Sequence, residues 1–436
     1  MGFQRGVSSG YQDLLDQIRD LCVNRRVITA AVNAGGSSYA AGDLCRVNGG
    51  TFPFDHQAWV EVLAVSGGAV TSVRVYNCGG YTVDPSTTGA ATTAATGSGS
   101  GLTVDLTLEN GGWTVNRDST FTYEDNTEKE LQMEGTGGGT TLYVGIRTYN
   151  ENDRRTRGFE LAGFTGFNGG LAWDSQPGIS PGRFETDENG AYVPLTGGNM
   201  PFWMSVDERR IQVVARGYNA YLSFYLGFLN TFDSPLSFPY PLVVGGCSPT
   251  ALEDPQDRGY PNIGSIPDPV GESTLLDQGS MWLRNQAGDW KGFNNRSTIT
   301  VDRDSVVYPL GVLDTGVPST YIDSQDQIVS DNSFFGNWSD AASGTHASYP
   351  PIQISPTPDG AGGFVWPMVE CTLMRKASSV DQTVYGTLDG IYWTPGGIDG
   401  ETRQPEDRVE IGSERYIIFP TGQMAQLGSM WAMRES

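Results

Sequence analysis

The chain has 436 residues and a formal net charge of −23, although only 18% of its residues are charged. That balance opposes a nucleic-acid partner, which needs a basic face, and adhesion to anionic membranes. With 58 glycines, 24 prolines and 11% aromatic residues, the composition excludes a helical bundle and a disordered chain. It reads as many short strands joined by tight turns.

The first predicted element is a helix from Gln12 to Val23, capped by Ser8 or Ser9. Tyr11, Leu14, Leu15, Ile18, Leu21 and Cys22 recur at helical spacing and form one apolar stripe. Asp13, Asp16, Arg19 and Asp20 cover the other side. A helix this short is marginal alone and has to dock on something. It docks either on its own body or, as part of an N-terminal arm over residues 1–35, on a neighbouring subunit. The second choice makes Leu14 and Ile18 candidate interface residues.

Residues 36–109 read as a small antiparallel β module inserted after the arm. Trp59 to Val65 and Val70 to Tyr76 are alternating strands around the hairpin signal of Ser66, Gly67, Gly68 and Ala69. Leu102 to Leu108 alternates as the closing strand. Thr87 to Gly101 is rich in Ala, Thr, Gly and Ser and reads as a flexible loop. Trp59 and Tyr81 are the candidate ligand-contact aromatics of this unit.

Residues 110–247 form the β body, with short strands such as Leu131 to Glu134, Thr141 to Thr148 and Phe159 to Phe164. Its densest apolar stretch is 201–246. Trp203 to Val206 alternates, Asp207 to Arg210 is a polar corner, and Ile211 to Ala215 suits a strand buried on both faces. Tyr218 to Phe232 follows as an aromatic series. Gly217 and Gly227 favour a strand there over a helix. One face (Leu222, Phe224, Leu226, Phe228) is expected in the core and the other (Tyr221, Ser223, Tyr225) half-wet. That exposure makes Tyr221 and Tyr225 candidate subunit-interface residues, since tyrosine is enriched at interfaces. Residues 248–363 are loop-rich, with short strands expected at Met281 to Arg284, Ser297 to Val301 and Tyr308 to Leu313; loops this long suit contact with a partner. Residues 364–436 return to strand, ending with Tyr416 to Phe419 and Met430 to Arg434. The expected fold is mainly β, in antiparallel sandwich-like sheets, with a short N-terminal helix and an inserted small β module.

Local chemistry is sparse. The five cysteines, Cys22, Cys45, Cys78, Cys247 and Cys371, have no zinc spacing and read as reduced thiols, with a Cys45–Cys78 pair as the alternative. The two histidines, His56 and His346, sit in no catalytic constellation and read as satisfied surface or loop residues. Asp174, Asp207, Glu208 and Glu370 are the acidic residues near aromatics that a glycoside hydrolase would need, although Asp207 and Glu208 suit a strand corner facing Arg209 and Arg210. The runs at Gly135 and Gly97 lack a following GK[ST] and read as turns. Asp187 and Asp323 open faint echoes of a calcium loop. No catalytic residue, metal ligand or cofactor is expected, with a divalent cation in an acidic loop as the alternative. Met1 to Gly10 has no apolar core, so no signal peptide is expected there, and no apolar run is long enough to span a membrane.

Several segments carry a resemblance: GWTVNRD at 112–118, LYVGIRTY at 142–149, FELAGFTGF at 159–167, RRIQVVA at 209–215, FPYPLVVGG at 238–246, GTLDGIY at 386–392 and IGSERYIIF at 411–419. Together they resemble virion structural proteins of tailed bacteriophages, and the module at 36–109 resembles β repeats of phage particles. The match leaves out residues 248–383 and contains no catalytic motif. The resemblance implies a non-enzymatic structural component of the tail, tail tip or baseplate, made in the host cytoplasm. Its implied partners are copies of itself and other virion structural proteins, with neither direct nucleic-acid binding nor membrane insertion. A host-surface or glycan-binding decoration protein is the alternative, and a polysaccharide hydrolase is the third reading.

Overall fold

The computed structural model describes residues 1–151, 156–180, 191–217, 220–232, 240–247, 279–284, 288, 290–294, 357–358, 364–365, 369–376, 382–395, 405–412, 414–420 and 429–435. These residues are mainly strand, in antiparallel sheets, with a single α-helix near the N-terminus.

The chain opens with strand β1 (Gly2–Ser8) and helix α1 (Tyr11–Val23). β1 pairs with Met200–Val206, so residues 1–35 are not a free arm. The apolar stripe of α1 is used up inside the protein: Leu14 and Ile18 are both 0% exposed. This corrects the interface expectation for these two residues, because strands from both halves of the body already surround them. The cap also differs. Gly10 stands at the helix start without a side-chain cap, Ser8 Oγ donates to the Gly10 carbonyl, and Asp13 accepts the Ser9 N–H at 2.8 Å.

The inserted module comprises β2 (Arg26–Ser37), β3 (Leu44–Val47), β4 (Trp59–Ser66), β5 (Ala69–Asn77), β6 (Ala90–Ala94) and β7 (Ser100–Glu109). Its sheet runs β2-β7-β6-β3-β4-β5, and β2 packs back against β5, so the barrel is nearly closed. It therefore begins at Arg26 rather than 36. The β4–β5 hairpin turns at Gly67 and Gly68, with φ of 60° and 81°, the pair of left-handed conformations that a two-residue hairpin needs. The expected loop at Thr87 to Gly101 contains β6, in which Ala90 enters the barrel core and Ala94 packs against it while Ala91 and Thr93 face outward. Tyr81 also lies in that core. It is 1% exposed and its hydroxyl accepts the Ala58 N–H at 2.9 Å, so it is a packing residue and not a ligand contact. Cys22, Cys45 and Cys78 are buried free thiols, so the Cys45–Cys78 pair is not formed.

The body continues through β8 (Trp113–Tyr123), β9 (Asn126–Gly135), β10 (Leu142–Glu151), β11 (Thr156–Phe164), β12 (Ala191–Pro194), β13 (Met200–Val206), β14 (Arg210–Gly217), β15 (Ala220–Thr231) and β16 (Leu242–Cys247). β8 to β12 form one run and β1, β13, β14, β15 and β16 another, joined where Tyr192 pairs with Cys247. The result is a half-barrel with α1 against its inner face. A hairpin of β17 (Gly279–Arg284) and β18 (Trp290–Asn294) extends β16, and β19 (Thr357–Pro358) pairs with β20 (Phe364–Val365). The C-terminal sheet holds β21 (Val369–Lys376), β22 (Gln382–Pro395), β23 (Arg408–Ile411), β24 (Glu414–Pro420) and β25 (Ser429–Arg434). The strands expected at Ser297 to Val301 and Tyr308 to Leu313 lie outside the described residues, as do His346, Asp187 and Asp323.

β15 shows why the central stretch is so apolar. Leu222, Phe224, Leu226 and Phe228 face the half-barrel core beside α1. Tyr221, Tyr225 and Leu229 face a second core built with Leu388, Ile391, Ile417, Phe419, Trp431 and Met433 of the C-terminal sheet. The face expected to be half-wet is thus dry: Tyr221 is 5% and Tyr225 0% exposed. Both are corrected from interface to core, since the C-terminal sheet supplies the cover that a neighbour was expected to supply. The preceding corner is held as expected. Asp207 accepts the N–H groups of Arg209 and Arg210 at 2.8 and 3.1 Å and the Arg210 guanidinium at 3.1 Å.

Candidate functional site

The small barrel is fastened to the body along a polar seam. The buried Arg26 guanidinium donates to the carbonyls of Val206 (2.8 Å) and Gly111 (2.9 Å). Glycine at residue 2 leaves room for it, because a Cβ there would stand 2.7 Å from the Arg26 side chain and displace it. β1 bonds to the module as well, with Cys78 N–H donating to the Phe3 carbonyl at 2.8 Å and Gly79 N–H to Gln4 Oε1 at 3.2 Å. The C-terminal sheet adds an ion cluster: Glu61 takes Arg74 (3.1 Å) and Arg415 (2.6 Å), Glu410 takes Arg74, and Glu435 takes Arg408 (2.9 Å) and Arg415. Partly buried and multiply bonded, this network escapes much of the screening that weakens isolated surface pairs.

A cleft of about 450 Å³ opens on this seam, where β1, β13, the barrel and the turn at Glu406 meet. Its barrel wall carries Phe54, Trp59 and Tyr76. Phe54 is 41% exposed and sits with Asp55 in the left-handed region, φ 53° and 60°, which is costly for side chains of this kind and holds the turn in one shape. The Trp59 ring lies 6.5 Å from Tyr76 and 4.8 Å from the Arg46 guanidinium. Tyr76 is surrounded by cations, with Arg5 at 3.9 Å, Arg408 at 5.0 Å and Arg415 at 5.4 Å from its ring. Burial first, and Arg408 next, push the Arg5 guanidinium down to about 10. Glu406, on the opposite wall, is already engaged by Arg216 (2.6 Å) and the Tyr221 hydroxyl (2.8 Å).

His56 closes the inner end. It lies in the loop before β4, as expected, but is 2% exposed, which corrects the surface half of that reading: α1 and Phe202 cover it. Gln17 Nε2 donates to Asp13 at 2.8 Å, so its Oε1 is left to accept the His56 Nε2–H at 2.9 Å. His56 Nδ1 is then a bare lone pair without a partner among the described residues. Burial pushes the imidazole down to about 4 from 6.5. The folded value is below the unfolded one, so the unfolded chain binds the proton more tightly. The contribution is fully present above pH 6.5 and declines as pH falls towards 4, by about 3 kcal/mol in all. The stability advantage of the wild type over His56→Gln is expected to shrink by about that amount between pH 7 and 4 in urea titrations.

The structure places Trp59 in the cleft and Tyr81 outside it, and leaves Leu14, Ile18, Tyr221 and Tyr225 in the cores. Sequence reading missed Arg5, Phe54, Tyr76, His56, Trp203 and Glu406. The run FPFDHQAW at 52–59 held a usable signal, since it packs rings, a carboxylate and an imidazole into a segment without strand alternation. Arg5 and Glu406 held none, because they come from opposite ends of the chain. Among the hydrolase candidates, Asp207 is tied to Arg210, Glu208 accepts from Thr136 at 2.9 Å, and Asp174 lies 3.9 Å from Arg147. Among the described residues no cluster of three or more His, Cys, Asp or Glu could hold a metal ion, and no helix is long and apolar enough to cross a membrane. No family model matches the sequence, and no curated protein matches it.

Proposed function

We propose that the chain is a structural subunit of a tailed-phage virion, in the tail, tail tip or baseplate, and works by assembly and not by catalysis. The observation that supports this reading is the seam. Hydrogen bonds hold β1 to the small barrel, the buried Arg26 holds the barrel to β13, and the ion pairs of Arg74 and Arg415 hold it to the C-terminal sheet, so these parts form one unit. A particle subunit needs such fixed relative placement, because symmetric interfaces repeat any error in it. The sequence segments that resemble phage structural proteins give the reading its particle. Sedimentation of the full chain over about a hundredfold range of concentration tests it, together with immunogold labelling of purified phage particles. Concentration-dependent closed oligomers and labelled tails are expected. A chain that stays monomeric and is absent from particles overturns it.

A second reading, a glycan-binding protein of the particle surface, is favoured by one feature: the partly exposed Phe54 and Trp59 rings in a cleft that also carries polar groups. Such a mixture is the usual build of a small-ligand site. It is compatible with the structural role, since one subunit can both assemble and bind.

A further inference from the structure

We propose that the cleft takes an acidic sugar, a pyranose bearing a carboxylate, with the ring against the Phe54 and Trp59 wall and the carboxylate on Arg5. This rests on the second reading above and adds the chemical class of ligand.

The argument starts from charge. Arg5, which lines the cleft, stands with Arg74, Arg408 and Arg415 of the seam's ion cluster, set against Glu61, Glu410 and Glu435, four cations to three anions. The surplus falls on Arg5. Arg74, Arg408 and Arg415 each hold a carboxylate, whereas the Arg5 guanidinium has none within 4.0 Å among the described residues. Its cover is the Tyr76 face, which stabilises a cation but fills none of its N–H donors. Arg408 Nη2, beside it, is a further buried donor without a partner among the described residues. A planar carboxylate matches the guanidinium fork in two parallel bonds.

The remainder of the cleft selects what carries that carboxylate. Phe54 and Trp59 line the cleft, and the negative quadrupole of an aromatic ring attracts the polarised C–H groups of a sugar ring. The space, about 450 Å³, suits one or two such rings and not an extended protein segment. The acidic groups that line the cleft do not cancel the site. Glu406 is neutralised by Arg216, and Asp55 is exposed to water at the rim.

The test uses the full chain and three probes, methyl β-glucuronide, methyl β-glucoside and acetate, in saturation-transfer NMR titrations. The glucuronide is expected to bind at least about tenfold more tightly than the glucoside, equivalent to 1.4 kcal/mol, and more tightly than acetate by a similar factor. Arg5→Gln is expected to bring the two sugars to equal affinity. Equal affinity of the two sugars in the wild type overturns the acidic class and leaves the glycan reading standing. Binding of acetate as tight as the glucuronide reduces the site to a general anion site and overturns the sugar. Binding of neither sugar overturns both readings. Where Arg5→Gln lowers the unfolding midpoint, the wild-type ratios decide alone.

Discussion

Replacing Tyr225 by alanine is expected to lower the unfolding free energy by about 3–5 kcal/mol, as much as replacing its neighbour Phe224. The two side chains leave β15 on opposite faces. Phe224 is 1% exposed and meets Phe159 edge-on at 6.0 Å in the half-barrel core. Tyr225 is 0% exposed and packs in the second core with the C-terminal sheet. Each substitution removes a large ring from a site that relaxes only partly, so loss of burial and the residual cavity both count. Tyr225→Phe is expected to cost far less, about 1 kcal/mol, for the hydroxyl that donates to the Phe228 carbonyl at 3.0 Å. Urea unfolding followed by circular dichroism at two protein concentrations measures all three. A Tyr225→Ala variant that unfolds like the wild type but self-associates more weakly contradicts the buried face and restores the interface reading for Tyr225.

Replacing Arg147 by methionine is expected to cost a similar amount, about 3–5 kcal/mol near neutral pH. Arg147 on β10 donates to Glu160 on β11 at 2.5 Å, and Glu160 is only 1% exposed. Burial is the strongest influence on this carboxyl and outweighs the pull of Arg147, so it is pushed up to about 7 from 4.5. Without Arg147 the carboxylate loses its main counter-charge in a dry setting and takes a proton more readily still. The sign of the pH effect follows. The folded value exceeds the unfolded one, so the folded chain binds the proton more tightly; without Arg147 that value rises further, so the penalty of Arg147→Met shrinks as pH falls towards about 7 and levels off below it, where both folded carboxyls hold the proton. The double variant Arg147→Met with Glu160→Leu is expected to recover most of the loss, because no unpaired charge then stays buried. Unfolding titrations of the three proteins at pH 9 and pH 6.5 check this. A penalty that grows on acidification contradicts it. His56 slopes the other way only below pH 6.5, so each variant is compared with the wild type at the same pH.

The cleft combines what was legible in the sequence with what was not. Trp59 stood out as an aromatic at the edge of a small module, and it does line the cleft. Tyr81 had equal standing by residue type, yet it fills the barrel core, because the Ala58 N–H needed an acceptor and the ring fits beside Phe52, 5.7 Å away. Leu14 and Ile18 were rightly read as an apolar stripe, but a stripe carries no mark of what covers it. His56 looked ordinary because its burial comes from α1 and Phe202, neither of them near it in sequence.

Legible from residue order alone were the mainly β architecture, the place and stripe of α1, the Gly67–Gly68 hairpin, the Asp207 corner, and the strand nature of the aromatic run. These depend on period, turn chemistry and residue size, which act within a few residues. It took the folded arrangement to show that the small barrel starts at Arg26, that both faces of β15 are dry, and that Arg5 has no carboxylate within 4.0 Å among the described residues. Each of those outcomes depends on a segment far along the chain: Leu388 to Met433 for Tyr225, Arg408 and Glu435 for Arg5, and Val206 for Arg26. Periodicity shows that a face is apolar or a cation is present. Which distant segment arrives to cover the face or pair the cation is a property of topology, and no local pattern encodes it.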